Sequence, residues 1–184
     1  MSLIVTISGS PSSTSRTNEL ARTVGADLRA RGFDVAAINV RDLPAEDLIG
    51  ARGDSPALRD ALSALEAARG VVVLTPVYKA AYSGVLKTFL DLLPQFGLSN
   101  KVVLPLATGG TLAHVLAIDY ALRPVLLALG ARHVVTGLFL LDKLLDRLPQ
   151  GGVTVNEEIR ARLDGVIGEF AAHVQLQEAA PRAA

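Results

Sequence analysis

The chain has 184 residues, half of them hydrophobic, and its 18 basic and 18 acidic side chains leave no formal net charge at pH 7. That length fits one domain with a sizeable core, and the neutral balance argues against nucleic acid or an anionic membrane as the main partner. The sequence has no cysteine, which excludes disulfides, thiolate metal sites and cysteine nucleophiles.

The first residues, Met1–Ile7, hold no basic region and too short an apolar run for a signal peptide. No stretch is long and apolar enough to span a bilayer, so a cytoplasmic protein is expected. Short β-branched runs at Leu3–Ile7, Asp34–Asn39, Val71–Leu74, Val102–Leu106 and His133–Phe139 read as strands. Helical patterns lie between and after them at Asn18–Arg31, Pro56–Ala68, Ser83–Leu93, Leu112–Leu129 and Glu157–Glu178. Near-continuous apolar strands alternating with helices predict an α/β fold with a parallel sheet covered on both faces. The expected form is a doubly wound, flavodoxin-like sheet of five strands in the order 2-1-3-4-5. Pro105 is awkward inside the fourth strand because it cannot donate to a ladder. Arg41–Asp54 is expected as a surface loop, and Leu140–Thr154, with Pro149, Gly151 and Gly152, as a mobile connection. Residues 1–178 are expected to form one domain, with 179–184 as a frayed tail.

Ligands of open α/β sheets bind beyond the carboxyl ends of the strands, and three loops leave those ends. The first, Gly9–Asn18, carries hydroxyls at five of the six positions from Ser10 to Ser15 and then Arg16. It opens a helix, whose free N–H groups and dipole favour a phosphate, and a guanidinium adds a charge-assisted bond. An ordinary N-cap needs one such hydroxyl. The loop is neither a Walker loop nor a Gly-x-Gly-x-x-Gly turn. The second loop, Thr75–Gly84, has small residues that let backbone approach a flat ring, and Ser83 is placed to cap the helix carrying Lys87. Tyr78 and Tyr82 have an equally plain reading as half-buried surface aromatics. The third, Ala107–Thr111, has paired glycines that permit positive φ and close approach of a ligand, or merely a tight turn.

These segments together resemble the NADPH-dependent FMN reductases. The likeness rests on the hydroxyl-and-arginine loop, on Thr75–Lys79 with Ser83–Lys87, and on Leu104–Gly110. From Thr75 to Ala128, including Ala117–Pro124, and again at Ala51–Leu58, the chain is most similar to the SsuE-like subgroup that serves alkanesulfonate monooxygenases. The resemblance covers roughly residues 3–140. It implies that Ser10, Ser15, Arg16, Thr17 and Asn18 hold the FMN phosphate. Pro76, Val77, Tyr78 and Lys79 would border one side of the isoalloxazine with Ser83 beside them, and Thr108, Gly109 and Gly110 the other. Many relatives place an arginine where Ser12 stands here, which leaves Arg16 to carry most of the anion's charge. Arg16, Arg52 and Lys79 are the candidate partners for a 2′-phosphate on the nucleotide. NADPH as the hydride donor, a flavin-dependent monooxygenase as recipient and a homodimer or homotetramer are also implied.

Pro124 bears on Tyr120. It leaves the Tyr120 carbonyl without its helical N–H donor, so the helix must kink or widen there. Tyr120 resembles the subgroup's tyrosine of a π-turn at a subunit interface near the flavin, where it would either set how easily flavin leaves or merely pack in a kinked interface helix. The helix Leu112–Leu129 is apolar nearly all round, which itself predicts burial on more than one side.

Other chemistries fit less well. His114, His133 and His173 are scattered, so no metal site is expected, and no Gly-x-Ser-x-Gly elbow is present. Receiver-type phosphoacceptance needs carboxylates where Ser8–Ser10 and Thr75–Pro76 stand. No catalytic residue is assigned, because in hydride transfer between nicotinamide and flavin the cofactors carry the chemistry. The rival functions are a flavin-bound quinone or azo reductase and a flavodoxin-type electron carrier.

Overall fold

The computed structural model describes residues 1–179, with the side chains of residues 1–177, so the expected frayed tail lies, from residue 180 on, outside the described residues. Strand β1 (Leu3–Ser8) runs parallel between β2 (Asp34–Asn39) and β3 (Gly70–Tyr78), and β3 is followed in the sheet by β5 (Val102–Gly109). The period-two alternation of a strand sends successive side chains to opposite faces, and here both faces are apolar. Ile4, Val72, Leu74, Leu104 and Leu106 pack against α1 (Arg16–Ala30) and α6 (Glu157–Ala179). Val5, Ile7, Val71, Val73 and Val103 pack with α3 (Pro56–Ala67), α4 (Gly84–Leu90) and α5 (Arg123–Ala128). Burial on both sides explains why these strands read as unbroken apolar runs. Among the described residues, no helix is long and apolar enough to cross a membrane.

Instead of five strands the main sheet has seven among the described residues. The expected fifth strand, His133–Phe139, is two pieces, β6 (His133–Val134) and β7 (Leu138–Leu141), both parallel to β5. Pro105 supplies the reason. Val135 N donates to Val103 O at 3.0 Å, so Val103 and, two residues on, Pro105 face this outer edge. The register skips from Val103↔Val134 to Leu106↔Leu138, so the strand breaks opposite the residue that has no N–H to give. Gly137 sits in the break, where a Cβ would lie 2.7 Å from Pro105 O.

Three segments differ from expectation. Arg41–Asp54 begins within a 3-10 turn at Val40–Asp42 and contains a short helix α2 (Ala45–Ile49) after Pro44, held by buried Val40 and Leu48. Leu140–Thr154 is a built element, in which a 3-10 turn at Asp142–Leu144 leads into the antiparallel ribbon β8 (Asp146–Arg147) and β9 (Val153–Thr154). Gly151 and Gly152, both at φ 91°, close its turn, and fully buried Leu145 anchors it. The stretch Leu112–Leu129 is a 3-10 turn at Leu112–His114, a π-turn at Ile118–Leu122 and then α5. Arg123 N–H reaches back five residues to Ile118 O, so the turn widens just ahead of Pro124.

One packing contact titrates. His133 on β6 meets His173 on α6 edge-on, with ring centroids 4.5 Å apart. Burial, reinforced by His173, holds the His133 pKa below its ordinary 6.5, against a smaller upward pull from Glu169. As pH falls below about 6.5 the unfolded chain takes a proton that the folded chain resists, so stability drops with acidification. His133→Asn should flatten that slope, measured by urea unfolding at about pH 7.5 and about pH 5.5. An unchanged slope would assign the acid lability to other groups.

Candidate functional site

The loop Gly9–Ser15 links the carboxyl end of β1 to α1; Ser12, Ser13 and Thr14 at its tip are exposed, while the hydroxyls at its two ends, with Thr17 of α1, are buried. Ser10 is 1% exposed, Ser15 7% and Thr17 2%. Ser15 is the N-cap of α1 and accepts from Asn18 N at 3.3 Å, so one hydroxyl does the capping that a helix start requires. Ser10 Oγ accepts from Ser12 N at 3.4 Å, while no acceptor among the described residues takes its own hydrogen. A buried hydroxyl donor beside the free N–H groups of a helix start fits a phosphate monoester.

Parallel pairing of β3 with β5 brings the other two loops together. The register sets Thr75 beside Ala107 and Pro76 beside Thr108. Thr17 and Thr108 hydroxyls lie 2.8 Å apart, which ties the first turn of α1 to the end of β5. Ser10, Ser15, Thr17, Pro76, Val77, Thr108 and Gly109 therefore gather at one end of the sheet, with Gly110 exposed just beyond β5. Val77 packs there with Ala107, Ile118, Phe139 and Leu141 in a small apolar cluster that includes Ile118 of the π-turn.

Pro76–Tyr78, expected in a loop, belong to β3, which folds back through an antiparallel hairpin onto β4 (Ala81–Tyr82). The two turn residues, Lys79 (φ 50°) and Ala80 (φ 66°), are both left-handed, as a type I′ turn demands. Neither is a glycine or asparagine. Non-glycine residues in this region cost on the order of 1–3 kcal/mol each and concentrate at ligand clamps. The hairpin holds Tyr78 and Lys79 exposed at the rim.

Several predicted residues are braces. Asn18 accepts from Ser8 through Oδ1 and donates to Ser12 O at 3.3 Å through Nδ2. Ser83 caps α4 by accepting from Leu86 N at 3.0 Å and donates to Gly9 O, which links the second loop to the first. Thr75 Oγ1 receives Ser83 N at 2.9 Å. Tyr120 stands on the π-turn, 80% exposed.

The cations sort by their partners. Arg52 is held by Asp47 at 3.0 Å, and the Asp91 carboxylate raises the Lys87 pKa by hydrogen bonding. Arg16 is exposed at the start of α1 and spends only Nε, on Leu145 O at 3.0 Å. Arg147 of β8 was not indicated by the sequence, yet its Nη1 donates to Thr14 O at 3.0 Å, inside the hydroxyl loop. The two are 133 residues apart, and no local pattern marks such a contact. A concavity of about 830 Å³ lies at the opposite end of the sheet, lined by Leu65, Pro94, Phe96 and Lys101 and by none of the predicted site residues. Lys101 there donates to Glu66 O and Ala68 O and so closes the end of α3.

Known proteins are similar to this chain in fold and in sequence. The crystal structure of an NADH:FMN oxidoreductase (EMOB), in its apo form, superposes with a TM-score of 0.87 at 42% identity, covering 94% of this chain and 90% of that one. The FMN reductase (NADPH) of Pseudomonas putida is 52% identical over 137 residues, which are 74% of this chain and 70% of that protein. That of Escherichia coli is 46% identical over 168 residues, 91% of this chain and 87% of its own length. Residues 2–146, which include every predicted site residue, match the family described as NADPH-dependent FMN reductase, and the chain belongs to that family.

Proposed function

We propose that this member of the FMN reductase family takes FMN as a free substrate, reduces it with NADPH and passes the reduced flavin to a flavin-dependent monooxygenase, as in the SsuE-like subgroup. Meeting of the hydroxyl loop, the β3 hairpin and the end of β5 at one end of the sheet carries this reading. The relatives named FMN reductase (NADPH) support it.

In this reading Ser10, Ser15 and Thr17, with Arg16, hold the phosphate, and Asn18 and Ser83 keep the loop in shape. Pro76–Lys79 and Thr108–Gly110 border the ring. When both are bound, the two cofactors would supply the chemistry, a hydride transfer from nicotinamide to flavin. What remains for the chain is to orient the two rings and exclude water, so no proton-transfer residue is assigned.

Leu112, Val115, Leu116, Tyr120 and Leu127 are all exposed, as is expected of a face that meets another subunit in a homodimer or homotetramer. Tyr120 at such a face, beside the hairpin, is the proposed control on flavin release. The proposed compartment is the cytoplasm.

Kinetics test the proposal. The rate of NADPH oxidation in air should saturate with added FMN and be unchanged by a chelator. Full activity from flavin that co-purifies, with no response to added FMN, would favour the flavin-bound quinone or azo reductase instead. Strict dependence on a metal ion would overturn both.

A further inference from the structure

We propose that Arg147 is a second guanidinium of the flavin-phosphate site, delivered by the β8–β9 ribbon. The inference rests on the reading of Ser10–Thr17 as the FMN-phosphate loop.

The ribbon is joined to α1 and its loop by reciprocal bonds. Gly152 N donates to Glu19 Oε2 at 2.6 Å, and Val153 N to Thr23 Oγ1 at 2.9 Å. Arg16 Nε donates to Leu145 O of the segment leading into the ribbon, and Arg147 Nη1 donates to Thr14 O of the loop. Each arginine thus spends one of its five N–H donors on the other's segment and keeps four for a ligand.

Charge decides between a tie and a ligand. Among the described residues neither Arg16 nor Arg147 has a carboxylate within ion-pair distance, whereas Arg22 nearby is paired to Glu19 at 3.7 Å. Glu19, the acid in the first turn of α1, shares a concavity with Arg147 but is occupied by Gly152 N and Arg22. Two guanidiniums without ion-pair partners at one helix start, with the nearby acid already paired to Arg22 and the Ser10 hydroxyl hydrogen free, form an environment complementary to a dianion. A hydrogen bond to Thr14 alone would need no charge.

Arg147→Gln and Arg147→Lys separate the two roles, because glutamine can still donate to Thr14 O but is neutral, while lysine keeps the charge. Affinities for FMN and riboflavin would be read by flavin fluorescence at low and high salt. Arg147→Gln is expected to weaken FMN about tenfold and riboflavin less than about twofold. It should also flatten the salt dependence of FMN binding, and Arg147→Lys should keep most of the preference for FMN. Equal losses for both flavins, or an undiminished FMN preference in Arg147→Gln, would overturn the proposal. If Arg16→Gln removes the preference and Arg147→Gln does not, this inference alone falls. Wild-type protein that binds riboflavin as tightly as FMN would remove the phosphate loop itself, and this inference with it.

Discussion

Replacing Arg16 with alanine is expected to weaken FMN binding by about 1.5–3 kcal/mol, or about 10- to 150-fold, with little loss for riboflavin. The side chain stands at the first position of α1, where the helix dipole and free N–H groups already favour an anion. Its Nη groups are uncommitted, while Nε rests on Leu145 O. That bond orients the guanidinium in advance, so little rotamer entropy remains to be lost on binding. Because Arg16 is exposed, the lower part of the range is the better expectation in high salt. Parallel titrations with FMN and riboflavin check it, and equal falls for both would remove Arg16 from the phosphate.

Gly9→Ala is expected to be the most damaging single-methyl change in the site. A Cβ at Gly9 would lie 2.4 Å from Leu86 Cβ and 3.1 Å from Leu86 Cα. Since those atoms belong to or adjoin the backbone of α4, no side-chain rotation relieves the clash, and the helix start must move. That start is also fixed by Ser83, which donates to Gly9 O, and Gly9 N is committed to Leu74 O at 2.9 Å. A loss of about 3 kcal/mol or more is expected from overpacking against backbone, together with weaker FMN binding as the two loops part. Gly84→Ala is the control, because a Cβ there meets nothing within 4 Å. That change should be neutral or stabilising by up to about 1 kcal/mol. Urea unfolding of the two variants compares them directly, and wild-type stability in Gly9→Ala would show that α4 can yield.

What the sequence made legible was whatever depends on periodicity or on local chemistry. Asp34–Asn39 is a strand with the bounds expected, because burial and turn residues at both ends agree. Pro124 made a kink or a widening legible, since a missing N–H leaves one carbonyl to be accommodated, and the resemblance, not the proline, pointed to the π-turn that forms. The four strands from β2 to β5 lie in the order expected, but the split of the fifth was not visible. That split follows from Pro105 facing the outer edge, which only the register reveals. The hairpin after β3 was hidden because Lys79-Ala80 lacks the Asn-Gly or Asp-Gly chemistry that marks such turns. In the site, the hydroxyl loop was readable from its composition. Distinguishing ligand from brace was not, since Asn18, Ser83 and Ser10 look alike in sequence and differ in which of their donors are already used. Arg147 could not be found, because nothing near it in the chain announces a contact with Thr14.

The strap formed by β8 and β9 also bears on the order in which the protein is made. The hydroxyl loop leaves the ribosome well before Gly152 and Val153, whose N–H groups grip Glu19 and Thr23 from 133 and 130 residues further along the chain. Domains begin folding from the N-terminal side during translation, and contacts this distant in sequence close late. A nascent chain can therefore pair β1 with β2 and β3 and already display the serine-rich loop. That loop then stands without its clasp until the ribbon has emerged and folded back onto α1.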